Sequence, residues 1–160
     1  YGRLFHVFWY HYYKLTKKKR PIIFCCSLIS YLCKTKESRM TGKREYVRQV
    51  VAYANYFKDF RKTLPRNVLQ KMYQIFIYIM TLEQIPEKYL KSVTGVQGLF
   101  EIRIEESSNI YRVFCCMDDG NLVILFNGFQ KKTQKTPLAE IERAKRIMNE
   151  YFSEKKRKEG

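Results

Sequence analysis

The sequence has 160 residues, of which 31 are Lys or Arg and 15 are Asp or Glu, so its formal net charge is +16. This length suits one domain, or one domain with an appendage, and suffices for a modest core. The charge indicates a polyanionic partner (RNA, DNA, a ribosome, an anionic membrane or an acidic protein), the alternative being a merely soluble basic surface. The five cysteines are Cys25, Cys26, Cys33, Cys115 and Cys116. They match neither a disulfide framework nor a zinc-site spacing, so a reduced, cytoplasmic location is the simpler interpretation.

The first 39 residues differ in composition from the rest. They carry nine basic residues and one acid, hence +8 (9 minus 1), whereas the remainder carries 22 basic and 14 acidic residues, also +8. Their apolar stretch, 22–33, is too short for a membrane helix, which needs about twenty residues. We therefore expect residues 1–39 to be an extension outside the native domain, and residues 40–160 to form the domain. A membrane-surface anchor is the alternative for the extension.

The patterned region begins with one strand and two helices. Residues 46–52 are β-branched and alternating, which predicts a strand. Aromatic and aliphatic residues then recur at helical spacing over 56–64, and a second helix is predicted over about 66–83. Its many apolar residues indicate a helix buried on two sides. Residues 84–98 are predicted to be a connection, because they contain proline and glycine breakers.

Three strands and a helix complete the predicted domain. The strands are expected over 100–105, 111–117 and 122–126, with tight links that make them an antiparallel meander. Thr136 and Pro137 suit the start of a final helix. The fold class is therefore α+β, a small domain with an antiparallel sheet in the order strand, helix, helix, three strands, helix. The helices are expected to pack on one face of the sheet.

Two arginines lie inside the predicted hairpin. If residues 107–108 form a two-residue loop, Arg103 falls directly opposite Arg112. Two cations opposite each other across strands repel, and a fold tolerates such a pair when something anionic lies between them. The alternative is a different register, with both arginines solvated or paired with Glu101 and Glu105.

A polar, cationic stretch follows the third strand. Residues 127–135 include Lys131 and Lys132 and lead into the last helix. Lysines in loops are commonly only solvated. Beside Arg103 and Arg112 on neighbouring strands, however, they indicate a phosphate-binding concavity.

An ordered series of motifs carries a family resemblance. The motifs are Gly-Leu-Phe-Glu-Ile-Arg-Ile at 98–104, Tyr-Arg-Val-Phe at 111–114, Phe-Gln-Lys-Lys-Thr-Gln-Lys-Thr-Pro at 129–137 and Glu-Ile-Glu-Arg-Ala-Lys at 140–145. In these motifs the chain resembles the HigB-like, phage-derived branch of the RelE/ParE toxins of type II toxin–antitoxin systems. The resemblance covers about 120 residues and leaves residues 1–39 unmatched.

The resemblance implies a metal-independent endoribonuclease that enters the ribosomal A site and cuts mRNA there. Its expected partners are mRNA, the ribosome and a cognate antitoxin, often of helix-turn-helix type, with no membrane and no cofactor. Arg112 matches the family's phosphate-binding strand arginine. Arg103 occupies a basic strand position, and Lys131 or Lys132 occupies the basic position after the last strand. These four residues are the candidate catalytic set.

Some positions depart from the family pattern. Leu138 stands where some relatives place an active-site tyrosine, and Glu101 stands where others can have a lysine, so the general base and acid stay unassigned. The only histidines, His6 and His11, precede the predicted domain. Cleavage would then rely on arginines that clamp the phosphate, on a lysine of lowered pKa as proton shuttle, and on a ribosome that aligns the mRNA.

Further candidates and alternatives complete the prediction. Lys135, Gln134 and Lys91 are candidate contacts to RNA or the ribosome, and no Asp/Glu/His cluster indicates a metal. One alternative is a toxin-fold protein without nuclease activity, such as a gyrase inhibitor of ParE type. The other is a basic phage or mobile-element module that binds nucleic acid without cutting it. Loss of toxicity in Arg112→Ala would favour the nuclease.

Overall fold

A computed structural model describes residues 46–119, 122–133 and 135–159. The predicted extension, 1–39, lies outside the described residues, so its separation from the domain stays a prediction. The elements in chain order are β1 (Gln49–Ala52), α1 (Tyr56–Lys62), α2 (Arg66–Thr81), β2 (Leu90–Ser92), β3 (Leu99–Glu106), β4 (Asn109–Asp118), β5 (Leu122–Lys131) and α3 (Leu138–Glu159).

The strands form one five-stranded sheet in the order β1-β5-β4-β3-β2. The α+β class and the meander are confirmed. The sheet is mixed rather than antiparallel, because β1 pairs with β5 in parallel. Two helices and the strands β2, β3 and β4 separate β1 from β5 along the chain, and a long crossover of that kind permits parallel pairing. The predicted connection also contains a strand, β2, whose three residues are too few to produce a recognisable alternation.

The helices lie on both faces of the sheet, so the prediction of a single covered face was wrong. Val113 and Cys115 of β4 pack in the core that contains α1 and α2, whereas Phe114 and Cys116 pack in the core that contains α3. A strand buried on both faces is a continuous apolar run rather than an alternating one. Residues 113–116 form such an apolar run, and this run was the feature of the sequence that could have indicated helices on both faces of the sheet.

A polar contact fastens α3 to the β4–β5 end of the sheet. The Tyr151 hydroxyl donates to Asp118 Oδ2 at 2.6 Å, and Lys155 Nζ lies 2.9 Å from Asp118 and from Asp119. Burial alone would raise the pKa of Asp118, but these two donors outweigh burial and hold it below its ordinary value. The last helix runs to Glu159, and Lys155 near its end is held by these contacts. No helix in the described ranges is long and apolar enough to cross a membrane.

Candidate phosphate-binding site

The β3–β4 hairpin places two arginines side by side. A two-residue turn at 107–108 pairs Glu106 with Asn109, and the register then sets Arg103 directly opposite Arg112. Ser107 has a positive φ of 55°, as tight hairpin turns of this length require. The predicted register is therefore confirmed. Directly opposed residues project from the same face of the sheet, so the two guanidinium groups share one surface.

Arg112 is the largest fully buried side chain among the described residues, with 1% of its surface exposed. Its Nη1 donates to the carbonyl oxygen of Tyr111 at 3.0 Å, and its Nη2 lies 3.6 Å from Glu105 Oε1. Burial lowers the pKa of the guanidinium and the positive charge of Arg103 adds to that effect, while Glu101 and Glu105 partly offset it. Arginine remains protonated at any physiological pH, so a cation is fixed in a largely desolvated place.

Glu101 connects the two arginines. One of its carboxylate oxygens, Oε1, lies 3.6 Å from Nε of Arg103 and 3.6 Å from Nε of Arg112. The glutamate pairing that was considered as an alternative therefore coexists with the predicted register. The anion between the cations is supplied by β3 itself, two residues before Arg103. The signal for it was the alternation of charges along the strand, which places Glu101, Arg103 and Glu105 on one face.

The arginine pair is not saturated with hydrogen bonds. The Nε atoms of Arg103 and Arg112 are both buried, and neither has a hydrogen-bond acceptor among the described residues. A separation of 3.6 Å is an ion pair but lies beyond the range of a true N–H···O hydrogen bond. Buried donors without acceptors are uncommon because they cost free energy. An oxygen atom of a ligand could accept hydrogen bonds from them and so be bound at this site.

Asn127 was not singled out from the sequence. It is 1% exposed on β5, and its Nδ2 donates to Glu140 Oε2 at 2.9 Å, which fastens the first turn of α3 to the sheet. Its Oδ1 is buried and receives no hydrogen bond in the described part of the chain. The strand was expected to end at residue 126, but it continues to Lys131, so Asn127 belongs to the sheet rather than to a loop.

The lysines occupy three different environments. Lys131 was predicted to lie in a loop, but it is the half-buried last residue of β5, opposite Ile110. Lys132 and Lys135 are exposed in the segment between β5 and α3, and Gln134 lies outside the described residues. Lys91 is exposed on β2, directly across from Glu101.

The sheet therefore brings together part of the predicted set. Arg103 and Arg112 are adjacent, and Lys91 stands opposite the glutamate that bridges them. Lys131 ends the strand that borders Arg112. Lys132 and Lys135 follow β5 and therefore lie outside the strands that carry the two arginines. Within those same residues, no group of three or more His, Cys, Asp or Glu side chains is arranged to hold a metal ion.

The fold agrees with the family assignment. A five-stranded mixed sheet with three helices in the described residues is compatible with a small RelE-like domain. The family model described as "Phage derived protein Gp49-like (DUF891)" matches residues 58–149, which is more than half of the chain, so the protein belongs to this family. The family is one of RelE/HigB-like toxins and is associated with toxin–antitoxin systems. No curated protein sequence matches the chain closely enough to count as a relative.

Proposed function

We propose that this protein is the toxin of a type II toxin–antitoxin system, of the HigB type, and that it cleaves mRNA on the ribosome. The observation that carries the proposal is the arginine pair on one sheet face inside the family match. Arg112 is fully buried and Arg103 is partly buried, and the buried Nε atoms of both lack a hydrogen-bond acceptor among the described residues. An antitoxin that silences the protein and a cytoplasmic place of action belong to the same proposal.

The arginine pair would bind the scissile phosphate. Guanidinium groups donate two parallel hydrogen bonds to phosphate oxygens, at about 2.7–2.9 Å when both partners are charged. Two adjacent guanidinium groups can thus neutralise the extra charge that develops on the phosphorane during cleavage. Because Arg112 is almost completely desolvated, its charge acts with little screening.

Glu101 is the proposed proton acceptor. It is the carboxylate that contacts both arginines, so a phosphate held by them would lie beside it. Glu101 would take the proton of the 2′-hydroxyl as its oxygen attacks phosphorus, which forms a 2′,3′-cyclic phosphate. The bond to the 5′ oxygen breaks, and Lys131 or Lys132 would donate a proton to that leaving oxygen. This step consumes no water and needs no redox partner.

The residues available at the site support the proposal that cleavage depends on the ribosome. The domain proposed for residues 40–160 contains no histidine, the side chain that most readily performs both proton transfers near neutral pH. Alignment of the reacting groups can contribute about 7–11 kcal/mol to a reaction of this kind. A ribosome that holds the mRNA in line would supply it.

The test is cleavage in a reconstituted translation system. The full chain is added to translating ribosomes, or to the same mRNA alone, and 5′ ends are mapped by primer extension. We expect cuts at a fixed position within codons that require ribosomes and disappear in Arg112→Ala. Arg66→Ala, which removes an exposed arginine at the start of α2, is the matched control and should cleave normally. If the mRNA stays intact although the added protein is shown to be folded, the proposal is refuted. Gyrase inhibition would then be measured.

A further inference from the structure

An aromatic ring extends the row formed by the two arginines. On β5, Phe129 lies directly opposite Arg112, which itself lies opposite Arg103, so the three side chains occupy neighbouring strands on one face of the sheet. Phe129 is half-buried, so part of this residue is exposed to solvent. The cationic surface thus has a flat apolar border on its β5 side.

Phe129 is held in place from within the core. Its ring stacks on that of Phe114 with a centroid separation of 5.7 Å and an interplanar angle of 25°. Phe114 is fully buried, so the partner ring cannot move aside easily. The backbone is fixed as well, because Phe129 belongs to the paired part of β5. The ring of Phe129 is thus packed on one side and belongs to a partly exposed residue. Such a ring can stack with another planar group.

We propose that Phe129 stacks on the base of the nucleotide whose phosphate is bound by Arg103 and Arg112, so that the site reads single-stranded RNA through one phosphate and one base. Opposed residues on neighbouring strands have Cα atoms only about 4.5–5.5 Å apart. A phosphate on the arginines therefore leaves the base of the same nucleotide, one ribose away, within reach of Phe129. Every base has a flat face, so such stacking tolerates many sequences.

This inference rests on the proposed phosphate site but does not require cleavage, so it is tested by binding. The full chain is titrated into a short single-stranded RNA in which 2-aminopurine replaces one base and the adjacent 2′-hydroxyl is methylated to prevent cutting. We expect the fluorescence of 2-aminopurine to be quenched on binding to the unaltered protein. In Phe129→Leu the quenching should disappear and the affinity should fall by roughly 5- to 100-fold, the usual effect of losing one base stack.

Matched variants separate stacking from damage to the fold. Phe129→Trp should keep the quenching, and Phe152→Leu, the same change at a half-buried phenylalanine of α3, should bind like the unaltered protein. As a second measurement, an RNA with 5-bromouracil is cross-linked by light to the unaltered protein, and the adduct should map to the peptide that contains Phe129. Quenching that persists in Phe129→Leu, or an adduct on another element, would overturn the inference. Tight, quenched binding without ribosome-dependent cleavage would instead refute only the proposed function.

Discussion

Glu101→Gln tests both the ion pairing of Glu101 and its proposed role as proton acceptor. This change keeps the size of the side chain and removes the carboxylate that lies 3.6 Å from each arginine. Breaking a buried ion pair by removing one partner costs about 3–5 kcal/mol. Arg112 retains Glu105 and Arg103 is partly exposed, so we expect the free energy of unfolding to fall by a smaller amount, about 1–3 kcal/mol.

The activity should respond much more strongly than the stability. Losing a positioned proton acceptor typically lowers a rate by about 10²- to 10⁴-fold. RNA affinity, in contrast, should be unchanged or higher, because no carboxylate then competes with phosphate for the guanidinium groups. Urea unfolding followed by circular dichroism measures the first effect, and primer extension together with oligonucleotide binding measures the second.

Glu105→Gln is the matched control for this experiment. Glu105 lies on the same strand and also contacts Arg112 at 3.6 Å, but its side chain is 62% exposed and does not contact Arg103. Exposed ion pairs contribute about 0–1 kcal/mol, so this variant should be close to the unaltered protein in stability and cleavage. The reasoning is refuted if Glu105→Gln is the more damaging change, or if Glu101→Gln cleaves mRNA at the normal rate.

Three further predictions concern the packing that supports the site. Gly128→Ala should destabilise the fold by about 1–3 kcal/mol in urea unfolding, since a Cβ there would lie 2.3 Å from the Phe60 ring; an unchanged midpoint would contradict this. Asp118→Asn should lower stability above about pH 5, where the carboxyl is ionised in both the folded and the unfolded state. The difference should shrink below about pH 4, because the stabilisation by the lowered pKa of Asp118 is lost as pH falls from the unfolded pKa through the folded one. Burial raises the pKa of Cys116 to about 12, so iodoacetamide at pH 8.5 should leave its peptide unmodified unless urea is added, as peptide mass spectrometry would show.

The meander was the part of the fold that local sequence rules determined. A two-residue loop at 107–108 leaves one register for the hairpin, and that register places Arg103 opposite Arg112. By comparison, nothing local specifies that β1 joins β5 in parallel, since the two strands are distant in sequence. The three residues of β2 are likewise too few to show an alternating pattern. Long-range pairing is decided by the packing of whole elements, which periodicity within a segment does not reveal.

The contacts of the site were harder to predict than its position. The spacing of Arg103 and Arg112 located the cationic surface, but hydrogen-bond partners depend on side-chain conformations that a sequence pattern does not specify. Asn127 was missed because the strand was expected to stop one residue earlier, which made this residue look like part of a solvated loop. Leu138 is an apolar residue that is nevertheless 78% exposed, and it is the first residue of α3.

The internal counter-ion changes what the arginine pair implies. Two opposed cations were expected to be tolerated when something anionic lies between them, and Glu101 supplies a negative charge at that place. The compensation is incomplete, because ion pairs at 3.6 Å leave both Nε atoms without a hydrogen-bond acceptor among the described residues. A phosphate can approach guanidinium groups to about 2.7–2.9 Å and can accept from both at once. Exchange of Glu101 for a phosphate would therefore satisfy the buried donors and, in the same movement, release a carboxylate beside the bound phosphate, where the proposed cleavage needs a base.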